Sequence, residues 1–138
     1  MNDLPRHQCP VIAAINRRAP EVRRRLEAAF IEGTIVGLPT IVQFELWYGI
    51  GKSARPQANA ARLAAFLSFD VETWPFEPED AEEAGEIRAT LDATGAPIGP
   101  YDVLIAAQAR RRAALLVTAN TPEFARVPGL ATEDWAVA

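Results

Sequence analysis

The chain has 138 residues, a formal net charge of −4, 49% hydrophobic and 23% charged residues, one cysteine and one histidine. This is the composition of one soluble domain with its own core. Cys9 and His7 alone exclude a disulfide framework and a Cys/His zinc centre, no apolar run reaches the roughly 18 residues of a membrane span, and no apolar signal core opens the chain. A reducing cytoplasm is the expected setting. The acidic balance argues against a general nucleic-acid binder, although 13 of the 14 basic residues are arginine, clustered at Arg17-Arg18, Arg23-Arg24-Arg25 and Arg110-Arg111-Arg112. Such clusters either track phosphates or form solvated helix faces.

In chain order, Val11-Ile12-Ala13-Ala14-Ile15 is a short apolar run. Ala19-Pro20-Glu21 opens a helix with Val22, Leu26, Ala29 and Phe30 at helical spacing, and Gly33 stops it. Thr34 to Pro39 reads as a buried strand, after which Thr40 is placed to cap a helix containing Glu45 and ending near Gly49 or Gly51. Gln57 to Leu67 is helical, Val71 to Phe76 is a strand, and Pro78-Glu79-Asp80 opens a helix that runs to Gly95. Pro97-Ile98-Gly99-Pro100 is a rigid turn into an apolar helix that reaches about Arg112. Ala114 to Thr118 is a buried-type strand, Thr121-Pro122-Glu123-Phe124 a helical turn, and Leu130 to Trp135 a last edge strand. Short apolar strands alternating with helices predict a three-layer α/β/α domain around a central parallel sheet, with ligands beyond the carboxyl ends of the strands. Trp47 and Phe66 are expected in the core.

Neither a Walker loop nor G-x-G-x-x-G occurs, and a single histidine leaves no Ser-His-Asp arrangement. Carboxylates remain. Glu45 stands among Phe44, Leu46, Trp47 and Tyr48, which suits either a solvent-facing stripe or a site. Asp102, in the first turn of its helix, either caps that helix or binds a cation, and the helix dipole favours its ionised form. Thr118, Asn120 and Glu123 follow a buried strand, as an ordinary turn or as the rim of a site. Oxygen ligands converging on one edge would suit Mg²⁺ or Mn²⁺, with the arginines neutralising a nucleic-acid backbone around it.

Phe44-Glu45-Leu46-Trp47-Tyr48-Gly49, Lys52-Ser53-Ala54-Arg55-Pro56, Thr94 to Asp102, Leu116 to Phe124, Val127-Pro128-Gly129-Leu130 and Glu133-Asp134-Trp135 appear in that order. Together they closely resemble PIN-domain toxins of the VapC type, from about Val11 to the end. The resemblance implies a PIN-like fold and a metal-dependent endoribonuclease of a toxin–antitoxin pair, whose acids hold Mg²⁺ or Mn²⁺ and activate water against an RNA phosphodiester. Glu45 and Asp102 match two of those acids and are the implied metal ligands. Asn120 falls at a fourth acidic position, often Asn in such toxins, and Glu123 stands close enough to assist. The resemblance also implies a cytoplasmic VapB-type antitoxin whose tail crosses the acidic site, a homodimer, and structured RNA such as tRNA as substrate.

The chain departs from the family at its amino terminus. Such toxins begin with an apolar strand ending in Asp-Thr-Asn, where this chain has His7-Gln8-Cys9. Residues 1–10 are therefore expected to be an aberrant segment and 11–138 the PIN-like domain, with its first strand disturbed. Leu4 to Pro10 can be encoded by CTA CCT CGA CAC CAA TGT CCC, which one base later reads Tyr-Leu-Asp-Thr-Asn-Val. An insertion or deletion near the Pro10 codon accounts for the difference. Without that Asp, the alternative is a degenerate PIN domain that binds antitoxin or RNA without cleaving it.

Overall fold

The computed structural model describes residues 11–14, 20–68 and 71–135. Strand β1 (Val11–Ala14) is followed by α1 (Pro20–Ile31), β2 (Val36–Pro39), α2 (Thr40–Gly51), α3 (Pro56–Leu67) and β3 (Val71–Trp74). Then come α4 (Pro78–Ala93), α5 (Pro100–Arg111), β4 (Leu115–Thr118), α6 (Thr121–Phe124) and β5 (Ala131–Glu133). The five strands form one parallel sheet in the order β3-β2-β1-β4-β5. Every predicted strand is present, and β2 to β5 are each a residue or more shorter than the predicted run.

The apolar run at Val11 itself forms the central strand. It pairs with β4 from Val11↔Leu115 to Ala14↔Thr118 and with β2 at Val11↔Val36 and Ile12↔Gly37. Two β-branched residues and two alanines suit a central strand, and the segment before it, where the disturbance is expected, lies outside the described residues. His7-Gln8-Cys9, Arg17 and Arg18 lie outside the described residues.

Val36, Leu38, Leu116 and Val117 fill the sheet interior, and Leu26, Ile87, Leu91, Ile105 and Ala106 cover it from the helices. Gly37 is required by a close approach: a Cβ there would lie 2.3 Å from the Trp74 indole on the neighbouring strand. Thr40 is not the cap of α2; Pro39 holds that position, without a side-chain cap bond, because β2 passes directly into the helix. Phe66 packs against the core as expected, whereas Trp47 is 46% exposed.

The arginine cluster closing α5 is structural. Asp80, fully buried, accepts from Arg111 Nε at 2.6 Å and Arg112 Nη1 at 2.9 Å, and its other oxygen accepts the Glu77 N–H in a capping box. Burial pushes the Asp80 carboxyl up, but the hydrogen bonds from Arg112, Arg111 and the Glu77 backbone outweigh it and hold it below its ordinary value. Arg110 reaches Glu83 at 2.6 Å and the Pro128 carbonyl at 3.0 Å. Arg24 pairs with Glu21, and Arg25 lies over Trp135. Arg110, Arg111 and Arg112 are thus engaged within the fold, whereas Arg24 and Arg25 stay largely exposed.

Candidate active site

Parallel strands bring several chain turns to one edge of the sheet. There β2 runs straight into α2, which carries Glu45 in its second turn. At the same edge β4 ends in the buried Thr118, whose Oγ1 accepts the Asn120 N–H at 3.0 Å and turns the chain into α6. The amino terminus of α5 meets that turn.

The meeting point is a carboxylate pair. Glu123 Oε1 accepts the Gly99 N–H at 2.7 Å, and its Oε2 accepts from Asn120 Nδ2 at 2.5 Å. Gly99 caps α5, followed by Pro100, so Asp102 is the third helical residue and no side chain caps the helix end. A Cβ on Gly99 would stand 3.3 Å from Asp102 Oδ2 and 3.6 Å from Glu123 Oε1. Both acids thus lie against one bare stretch of backbone. Arg126 Nη1 donates to the Pro97 carbonyl at 2.8 Å, so α6 and its next turn clamp the 97–99 turn at two points.

The electrostatics of this pair are unusual for surface carboxyls. Asp102 is pushed up to about 7, first by burial, then by its hydrogen bond with Glu123, then by the negative charges of Glu123 and Glu45. Glu123 moves the other way, held down by the Gly99 N–H and the Asn120 amide against the effect of burial. Asp102 is therefore the carboxyl of the pair that takes up a proton first, and it changes charge around neutrality. The helix dipole was expected to favour ionised Asp102; burial and like charges overrule it. Burial also raises Glu45.

The structure brings all four predicted residues to one edge. Asn120 bonds Glu123 directly, Glu123 pairs with Asp102, and Glu45 acts on Asp102 through its charge. Asp102 makes no side-chain cap bond to its helix. Arg126 was missed, and a lone arginine in a turn offers no sequence signal.

Among the described residues, no three His, Cys, Asp or Glu side chains gather closely enough to hold a metal ion. The donor set nonetheless fits a small divalent cation. Mg²⁺ keeps several waters and uses one or two carboxylates, and a pair of hard oxygens sharing one proton is a place where a cation relieves repulsion.

The PIN-domain profile matches residues 10–130. A tRNA(fMet)-specific endonuclease VapC of Shigella flexneri is 42% identical over 98 residues, covering 71% of this chain and 74% of the relative. A protein of the same name from Salmonella typhimurium is 36% identical over 124 residues, covering 90% and 91%. This chain belongs to the VapC family of PIN-domain proteins. The crystal structure of VapBC2 from Rickettsia felis, bound to a DNA fragment from their promoter, superimposes on it with a TM-score of 0.82 at 33% identity, over 91% of this chain and 98% of that one. In this VapC-family chain the matched segment contains Glu45, Asp102, Asn120 and Glu123 and begins after His7-Gln8-Cys9.

Proposed function

We propose that this chain is a divalent-metal-dependent endoribonuclease, the toxin of a toxin–antitoxin pair. The observation that carries the reading is the Asp102–Glu123 pair, fixed by Gly99 and Asn120 within the field of Glu45. Asp102 and Glu123 would hold Mg²⁺ or Mn²⁺ as a pair, which leaves Glu45 to act on the water. Such an ion, when bound, acidifies its water toward neutrality and offsets the charge of a phosphodiester. Asp102, whose carboxyl changes charge around neutrality, would be ionised to act as a ligand. Glu123, held by two donors, keeps its oxygens in place while Asp102 changes charge. Glu45, with its affinity for protons raised by burial, is suited to take the proton of the attacking water.

The Shigella and Salmonella relatives carry tRNA(fMet)-specific endonuclease in their names, which supports tRNA as the substrate. The Rickettsia complex supports a VapB-type antitoxin as partner. A homodimer and a cytoplasmic site of action complete the reading; among the described residues no helix is long and apolar enough to cross a membrane. The alternative of a non-cleaving domain drew on His7-Gln8-Cys9, and the four assembled edge residues favour cleavage.

Purified protein incubated with tRNA should cleave it with Mg²⁺ or Mn²⁺ and not with chelator. Asp102→Asn should lower the rate by about 100-fold or more, as loss of a group acting on the reacting centre does. Equal rates in the two proteins would remove Asp102 from the mechanism. Binding of antitoxin with no cleavage under any metal would instead establish the degenerate alternative.

A further inference from the structure

Phe44 immediately precedes Glu45, and Tyr101 immediately precedes Asp102. The two aromatic rings come from different helices, yet their centroids are 5.5 Å apart with the planes tilted by 55°. They are 51% and 48% exposed, so each leaves about half its surface in water beside the carboxylates. Tyr48, one turn further along α2, is 62% exposed and carries the Lys52 ammonium 4.8 Å from its ring centroid. A contiguous apolar surface left open next to an acidic site needs a reason.

Charge supplies one. Among the described residues the Arg110–Arg112 cluster is engaged in internal ion pairs rather than turned to RNA phosphates. Carboxylates repel the same phosphates. Contacts that do not involve phosphate charge therefore add affinity where the carboxylates oppose it. Stacking of bases on aromatic rings is such a contact, is tolerant of sequence, and needs bases released from pairing.

Resting on the nuclease reading above, we propose that Phe44 and Tyr101 form a stacking platform for unpaired bases beside the phosphodiester that is cut. The platform selects single-stranded loops over helical RNA, because a paired base presents no free face to it. Lys52 at its far end, over Tyr48, meets the backbone leaving the platform.

The test uses a short unpaired RNA carrying 2-aminopurine, with Ca²⁺ for binding and Mg²⁺ for cleavage. Wild-type protein should quench the 2-aminopurine fluorescence on binding. Phe44→Leu and Tyr101→Leu should abolish the quench and weaken binding by about 5- to 140-fold, the equivalent of one stacked base at about 1–3 kcal/mol. The loss should read in KM, and Phe44→Tyr and Tyr101→Phe should restore both binding and quench. Thermal melts confirm folding, which exposed positions should preserve.

If wild type and both leucine variants bind and cleave alike, the platform is overturned and the nuclease stands. If wild type neither binds nor cleaves RNA in any form, the nuclease reading fails and the platform with it. Loss of self-association or of antitoxin binding in the leucine variants, with RNA affinity unchanged, assigns the patch to a protein partner and overturns the platform.

Discussion

Replacing Asp102 by asparagine should stabilise the metal-free protein at mildly alkaline pH. The folded state raises this carboxyl from 3.8 to about 7, so folding binds the Asp102 proton more tightly than the unfolded chain does. The stability gained is fully present below about pH 4 and is lost as pH rises through about 7. At 1.36 kcal/mol per pH unit, the interval from 3.8 to about 7 sets a ceiling of about 4 kcal/mol. Asp102 is partly open to solvent and shares one proton with Glu123, so screening and coupling reduce this to about 1–3 kcal/mol. Asparagine copies the protonated acid in shape, donates to Glu123, and cannot ionise. Urea unfolding of wild type and Asp102→Asn at pH 5 and pH 8, with chelator present, measures the effect. The variant should gain on wild type between the two pH values, and Mg²⁺ at pH 8 should stabilise wild type alone. Parallel pH profiles, or a variant less stable than wild type at pH 8, would refute both the proton and its placement.

Asp80→Ala should cost about 3 kcal/mol in urea unfolding, since it strands Arg111 and Arg112 and opens the capping box of α4. Gly37→Ala should cost about 1–3 kcal/mol or more, with a changed near-ultraviolet signal from Trp74, because its Cβ would enter the indole ring. Arg126→Ala should release the 97–99 turn and raise the Mg²⁺ concentration needed for half-maximal cleavage by about tenfold, while leaving the melting midpoint within a few degrees. Resequencing the locus should show codons for Leu4 to Pro10 compatible with Asp-Thr-Asn in the neighbouring frame; incompatible codons would dismiss the frameshift.

Much of the molecule was legible in its residues because its signals are local. Pro20, Pro56, Pro78 and Pro100 each open a helix in the first turn, where proline's fixed φ and missing N–H cost nothing. Alternation of those helices with runs such as Leu115–Thr118 specified a parallel sheet, and a parallel sheet specifies where a site sits. What sequence alone left open depended on neighbours distant along the chain. Asp102 reads equally well as a cap or a ligand until Glu123, 21 positions later, is seen to share its proton. Arg110, Arg111 and Arg112 look like a phosphate track until Glu83 and Asp80 are found against them. Trp47 looks like core because hydropathy does not reveal which face of α2 is covered.

The seam between β1 and β4 has a consequence for the timing of synthesis. The central strand is near the start of the chain, but the partner that completes its second side is Leu115–Thr118, and the residues clamping the 97–99 turn come later still, at Glu123 and Arg126. A ribosome must extrude nearly the whole domain before the carboxylate pair can assemble. The nascent chain therefore lacks the fixed carboxylate pair until residues through Glu123 have left the ribosome.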